Sequence, residues 1–244
     1  MSLENAFVLG AEGSALASDE ACERLAIVVM RLVRAGKRVV LFAGPTRERA
    51  DDLQREAARL PAAADAWDRA EVLTRGPLES SEKIAWWLNK LNVGSVVLDD
   101  PHDWPIARGS PLEAEPRRVS APRVAQAFAE EAPVVIVPGG VARDETGRAM
   151  SLGTGGTALS AVFAGDRFGL PVRVLGTDAA APADDLDGVA SGGLPRRAAL
   201  LARDSHVSVF VAEDASVLLP VQSGSGGRAP SFAVRANARF AVPA

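Results

Sequence analysis

One stretch, residues 132–161, constrains what this chain can fold into more than any other. The apolar run Val134-Val135-Ile136-Val137 opens into Pro138-Gly139-Gly140, a polar segment spans 142–148, and Leu152-Gly153-Thr154-Gly155-Gly156-Thr157 leads into Ala158-Leu159-Ser160-Ala161. The order reads as strand, glycine loop, polar hairpin, second glycine loop, helix. Glycines at these places suit positive φ or close backbone approach, and the second cluster lies where a helix N-terminus would aim free N–H groups at an anion. Gly153, Gly155 and Gly156 are therefore candidates to hold a phosphate.

The rest of the chain alternates strands and helices around this stretch. Residues 6–9 read as a buried strand running into Gly10-Ala11-Glu12-Gly13-Ser14, and Ser18 or Asp19 as the N-cap of a helix over 20–35 that stops at Gly36. Residues 39–43 form an apolar run of the kind expected in parallel sheets, and 47–59 a charged helix with an apolar stripe. The patterning predicts a helix over 82–91 with Ile84, Trp87, Leu88 and Leu91 on one face, so the adjacent Trp86 must point elsewhere. Residues 95–98 read as a strand, 106–118 as a loop rich in Pro, Arg and Glu, and 119–131 as a helix. Beyond the second glycine loop come a helix over 157–167, a strand ending at Gly176-Thr177-Asp178, a helix near 193–204 and a strand over 207–211. Val217 to Val221 continue the apolar pattern, and apolar residues alternate from Phe232 to Val242 as in a terminal strand or intersubunit arm.

Composition narrows the class of partner. With 244 residues, 48% of them apolar, the chain can bury the core of one large α/β domain. A net charge of −4 with scattered basic residues offers no footprint for nucleic acid, and no window is apolar enough to span a membrane. The single Cys22 excludes an intrachain disulfide framework and fits a reducing cytoplasm. The acidic loop at 99–105, with His102, is the best local arrangement for a metal, but its prolines and aspartates are ordinary turn formers, and no metal site is assigned to it.

Taken together, these motifs resemble the aspartokinase branch of the amino-acid kinase family. That branch carries a strand, a glycine turn, a hairpin with Arg-Asp and Gly, and then Leu-Gly-Arg-Gly-Gly-Ser-Asp-x-Thr-Ala. Here the frame is Leu152-Gly153-Thr154-Gly155-Gly156-Thr157-Ala158-Leu159-Ser160-Ala161, preceded by Arg143-Asp144 and Gly147-Arg148. The resemblance implies a three-layer αβα sandwich with an open, mainly parallel central sheet. It implies one domain over 1–244, no paired regulatory ACT domains after it, and a homodimer.

The resemblance also implies site residues. Gly10, Gly13, Ser14, Gly153, Gly155, Gly156, Thr177 and Asp178 fall where the family holds its nucleotide, ATP with Mg²⁺. Ser80, Arg117, Arg143 and Thr157 fall where it holds its amino-acid substrate, with Arg118 and Arg123 as further carboxylate-binding candidates. Three departures stand against activity: Leu9 lies over the family's phosphate-binding lysine, Pro77 over its substrate glutamate and Ala158 over its second-loop aspartate. None of these can carry charge or accept a proton. The expectation is a catalytically degenerate aspartokinase-like protein that binds a nucleotide or small acidic ligand, or serves as a partner or scaffold subunit. The alternative is an active ATP-dependent kinase acting on the carboxylate of an amino acid or related molecule. No catalytic residue is assigned.

Overall fold

The computed structural model describes Leu3 and residues 5–130, 132–176 and 194–212. Thr177, Asp178 and the apolar patterns at 217–221 and 232–242 lie outside the described residues. The chain begins with strand β1 (Ala6–Ala11), helix α1 (Asp19–Arg34), β2 (Arg38–Ala43), α2 (Arg47–Ala58) and the long α3 (Ala66–Lys90). It continues through β3 (Ser95–Val97), β4 (Ile106–Ser110), β5 (Glu113–Arg118), α4 (Ala121–Ala129) and β6 (Val134–Pro138). Then follow β7 (Val141–Arg143), β8 (Ala149–Ser151), α5 (Gly156–Phe168), β9 (Val172–Leu175), α6 (Arg196–Asp204) and β10 (Val209–Ala212).

Six strands form a wholly parallel sheet in the order β10-β9-β1-β2-β6-β3, as the apolar runs foretold. Side-chain parity sorts the core into two layers. Phe7, Leu9, Ala11, Leu41 and Ile136 pack with Cys22, Leu25 and Val29 of α1 and with Ile84 and Leu88 of α3. Val8, Val40, Phe42, Val135 and Val137 pack with Val124 and Phe128 of α4, with Ala158, Ala161 and Val162 of α5, and with Ala198 and Ala202 of α6. The architecture is the expected α/β layering, helices on both faces of a parallel sheet. Among the described residues, no helix is long and apolar enough to cross a membrane.

Local chemistry explains the helix starts. Ser18 accepts a hydrogen bond from the Ala21 amide at 3.2 Å, with Asp19 and Glu20 in the first turn of α1 and Arg31 and Arg34 in its last. Thr46 caps α2 through the Arg49 amide at 3.2 Å. Asp65 and Asp68 form a reciprocal capping box at the start of α3.

Two sequence expectations are corrected here. The helix expected over 82–91 starts much earlier and runs through Pro77, although an interior proline deletes a donor and costs about 3 kcal/mol. The compensation is burial: Gly76, Pro77, Ser80 and Ser81 are all buried, and a Cβ on Gly76 would stand 2.8 Å from Leu53 Cδ1 and 3.0 Å from Pro45 Cβ. Gly76 lets α3 lie close against α2 and the turn after β2. Residues 106–118, expected to be a loop, form the antiparallel hairpin β4–β5 of a second sheet, ordered β5-β4-β7-β8. Ile106, Ala107, Ala114, Met150 and Leu152 of this sheet and its margins are buried, while β5 carries Pro116 and exposed charges as an edge strand does.

The paired tryptophans behave as their spacing requires, Trp86 being 51% exposed and Trp87 packed against the α1 layer. Their rings still meet edge to face, with centroids 4.9 Å apart.

Candidate functional site

The C-terminal ends of β1, β2 and β6 converge at one edge of the sheet, where the chain order reverses between β1 and β9. In open parallel sheets, ligands bind in the crevice at such a switch point. The strand ends are stitched together by Gly44 N–H donating to Ala11 O and Gly139 N–H donating to Ala43 O, each at 2.8 Å. Thr157, in the first turn of α5, fills the junction. A Cβ on Gly44 would overlap Thr157 Oγ1, and one on Gly139 would lie 2.6 Å from Thr157 Cγ2. Thr157 is 2% exposed, so this candidate substrate residue is a buried packing element between the strand ends.

Parity also decides which β1 residue looks toward α5. Leu9, laid over the lysine position, is fully buried against the α1 layer. Gly10 is the residue that faces α5, where a Cβ would lie 3.1 Å from Ala161 Cβ and 3.8 Å from Thr157 O. Leu9 and Gly10 thus belong to opposite faces of the sheet. The position that faces α5 has no side chain, and so no cation.

The second glycine loop is walled by protein on one side after another. Gly155 is the N-cap of α5, left-handed at φ 70°, and as glycine it has no side chain with which to cap the helix. A Cβ there would lie 2.5 Å from Pro195 Cγ, and one on Gly153 would lie 3.3 Å from Glu113 Cγ. Arg197 donates to Leu152 O at 2.5 Å and to Ala114 O at 2.6 Å, tying α6 to the loop and to β5.

On the other side of Thr157 the crevice is open. A pocket of about 560 Å³ is lined by Gly13, Ser14, Ala17, Thr46, Arg47, Glu48, Asp51 and Arg55. It lies between the 3₁₀ turn Gly13–Leu16 after β1 and the N-terminal half of α2. Gly13 N–H donates to Pro45 O at 3.3 Å, holding that turn against the start of α2. The pocket combines a helix N-terminus, two guanidinium groups and a serine hydroxyl with two carboxylates, the equipment to hold a small anion that also carries donors. Arg55 is ion-paired with Asp52 on its own helix.

The remaining site candidates are scattered. Ser80 is buried in α3, and Arg117 is exposed on β5 beside Glu115 at 2.8 Å. Arg143 on β7 donates to His102 O at 3.3 Å, and its Nε is buried with no partner. Asp144 accepts from the Thr146 amide and hydroxyl, both at 2.8 Å, and from the Arg148 amide at 2.9 Å. Burial pushes its carboxyl up, but these donors outweigh that and hold it below the ordinary carboxylate range. Arg123 pairs with Asp103 at 3.0 Å, so the acidic segment is a pinned turn, with Asp100 capping the His102 amide at 2.8 Å. Among the described residues, no three His, Cys, Asp or Glu side chains are grouped to hold a metal ion.

Of the residues singled out in the sequence, Gly13 and Ser14 line the pocket; Gly10, Gly153, Gly155, Gly156, Ser80, Arg117, Arg143 and Thr157 do not. The sequence reading missed Thr46, Arg47, Asp51 and Arg55. The signal that could have found them is Gly44-Pro45-Thr46, a capped helix start directly after a parallel strand.

No protein-family model matches the chain, and no curated protein matches it by sequence. Its structure is similar to those of several kinases. Aspartate kinase from Synechocystis superposes with a TM-score of 0.68 at 19% identity, over 85% of this chain and 37% of that one. Aspartokinase III of E. coli, in complex with aspartate and ADP, gives 0.64 at 18% identity, over 84% of this chain and 62% of that one. Carbamate kinase from Giardia lamblia, bound to AMP-PNP, gives 0.57 at 11% identity, over 87% and 93%. The chain has the amino-acid kinase fold, and it spans 37% to 62% of the length of these two aspartokinases.

Proposed function

We propose that this chain is an aspartokinase-like protein without phosphoryl transfer, which binds a small acidic ligand in the pocket between the 3₁₀ turn and α2. The observation that carries this reading is the division of the crevice. The open half is lined by Ser14, Thr46, Arg47 and Arg55 together with Glu48 and Asp51, while the half at the start of α5 presents Gly10 and the fully buried Ala158 and has Pro195 against Gly155. Phosphoryl transfer rests on charged groups placed around the moving phosphoryl, and neither Gly10 nor Ala158 supplies one. The solved aspartokinase III and carbamate kinase carry ADP and AMP-PNP. The α5 N-terminus, whose N-cap Gly155 has no side chain, suits a phosphate in the same sense only once Pro195 has moved off that glycine. The described donor set fits an anion; Glu48 and Asp51 line the same pocket, but among the described residues no three His, Cys, Asp or Glu side chains are grouped to hold Mg²⁺, and no step is derived through that ion.

The test is titration calorimetry with aspartate, with a non-amino dicarboxylate such as succinate, and with ATP plus Mg²⁺, alongside an assay for ADP release. Micromolar to millimolar binding of a carboxylate that is abolished in Ser14→Trp, which fills the pocket from an exposed position, supports the reading. ADP release that depends on an acidic amino acid would establish the active-kinase alternative instead. Absence of binding by every one of these ligands would remove the small-ligand reading.

A further inference from the structure

The approach to the second glycine loop is occupied by one short piece of α6, and the contacts are specific. Pro195 stands against Gly155 so closely that even a methyl group on that glycine would collide with its ring. Two residues on, Arg197 spreads its guanidinium between Leu152 O at 2.5 Å and Ala114 O at 2.6 Å, with Glu113 Oε1 3.9 Å away. Leu194, just before, is buried in the core layer shared with α5. Charge-assisted bonds from one guanidinium to carbonyls on two different elements fix the relative position of three pieces of chain: α6, the β4–β5 hairpin and the loop that starts α5.

We propose that residues 194–197 form a latch that keeps the second glycine loop closed, with Pro195 as the stop over Gly155 and Arg197 as the catch. Gly155 is then glycine for two reasons internal to the chain, its left-handed φ of 70° and the proline ring against it. An anion reaching the first turn of α5 from this side must displace Pro195 first. The α5 end of the crevice is gated by the α6 end, and Arg197 sets how often the gate opens. This rests on the reading above only where it concerns a ligand; the closure concerns the chain alone.

Hydrogen exchange read by mass spectrometry separates the two. In Arg197→Ala, amides at 152–156 and 113–115 should exchange about ten-fold faster than in the parent chain. Amides of β1 and β2 should be unchanged, and Arg197→Lys should restore part of the protection. Pro195→Gly, which keeps the catch and removes the stop, guards against a fold defect in the alanine variant and should accelerate 153–156 alone. Unchanged exchange at 152–156 in the folded variants overturns the latch. ADP titration supplies the second arm. Where the parent chain binds ADP, Arg197→Ala should bind it about ten-fold tighter, and equal or weaker binding with faster exchange overturns the gating. Faster exchange with no ADP binding by either protein confirms the latch and counts against a nucleotide as the ligand.

Discussion

The two halves of the crevice are built from the same parts and used differently. Each has a glycine-containing turn and a helix N-terminus beside it, the turn following the parallel strand β2 at α2 and the antiparallel strand β8 at α5. At α2 the N-terminus is capped by Thr46, and the neighbouring Ser14, Arg47 and Arg55 line open space. At α5 the N-cap is Gly155, which has no side chain to offer, and a Cβ on the loop's glycines would meet Pro195, Glu113 and Gly140. A glycine records that something comes close to the backbone. It does not record whether that is a ligand or another part of the chain.

The comparison can be broken where it is most lopsided. Gly155→Ala forces a left-handed alanine against the Pro195 ring and should cost about 3 kcal/mol of stability, read as a shift of the urea midpoint. Pairing it with Pro195→Gly should recover the part due to collision. If the single variant is neutral, the α5 half is not closed as described. Thr46→Ala, on the open side, removes one cap and should cost about 1 kcal/mol, measured the same way and independent of any change at 155. Arg55→Ala should move stability by less than about 0.5 kcal/mol, since its ion pair with Asp52 is exposed, while weakening binding of a carboxylate in calorimetry. A large stability loss at Arg55 would mean that the pocket wall is packing rather than a binding surface.

The layering of the fold was legible because apolar runs at 6–9, 39–43 and 134–137 leave little choice but parallel strands buried on both faces. The cap of α1 at Ser18 and its stop before Gly36 were legible for the same local reason: capping chemistry is written within four residues. Pro77 misled because its cost is local while its compensation, the contacts of Gly76 with Leu53 and Pro45, comes from residues far away in the chain. The β4–β5 hairpin was hidden by charges and a proline that belong to an edge strand's outer side. At the candidate site, glycine spacing pointed to the C-terminal ends of the strands but not to which half is open. That depended on Pro195 and Arg197, some forty residues beyond the loop, which no local pattern connects to it.

The close approach of Gly10 to Ala161 limits what a single substitution on this face of β1 can do. A side chain at position 10 would press on a helix residue that is itself fully buried, with 3.1 Å between their Cβ atoms. A larger residue at 10 therefore either moves Ala161 by a few tenths of an ångström or is accommodated by a second change, glycine at 161. The second alone deletes a buried methyl and weakens a helix interior by roughly 1–2 kcal/mol. Making that change first passes through a less stable protein. A side chain at position 10 is thus coupled to the packing of α5.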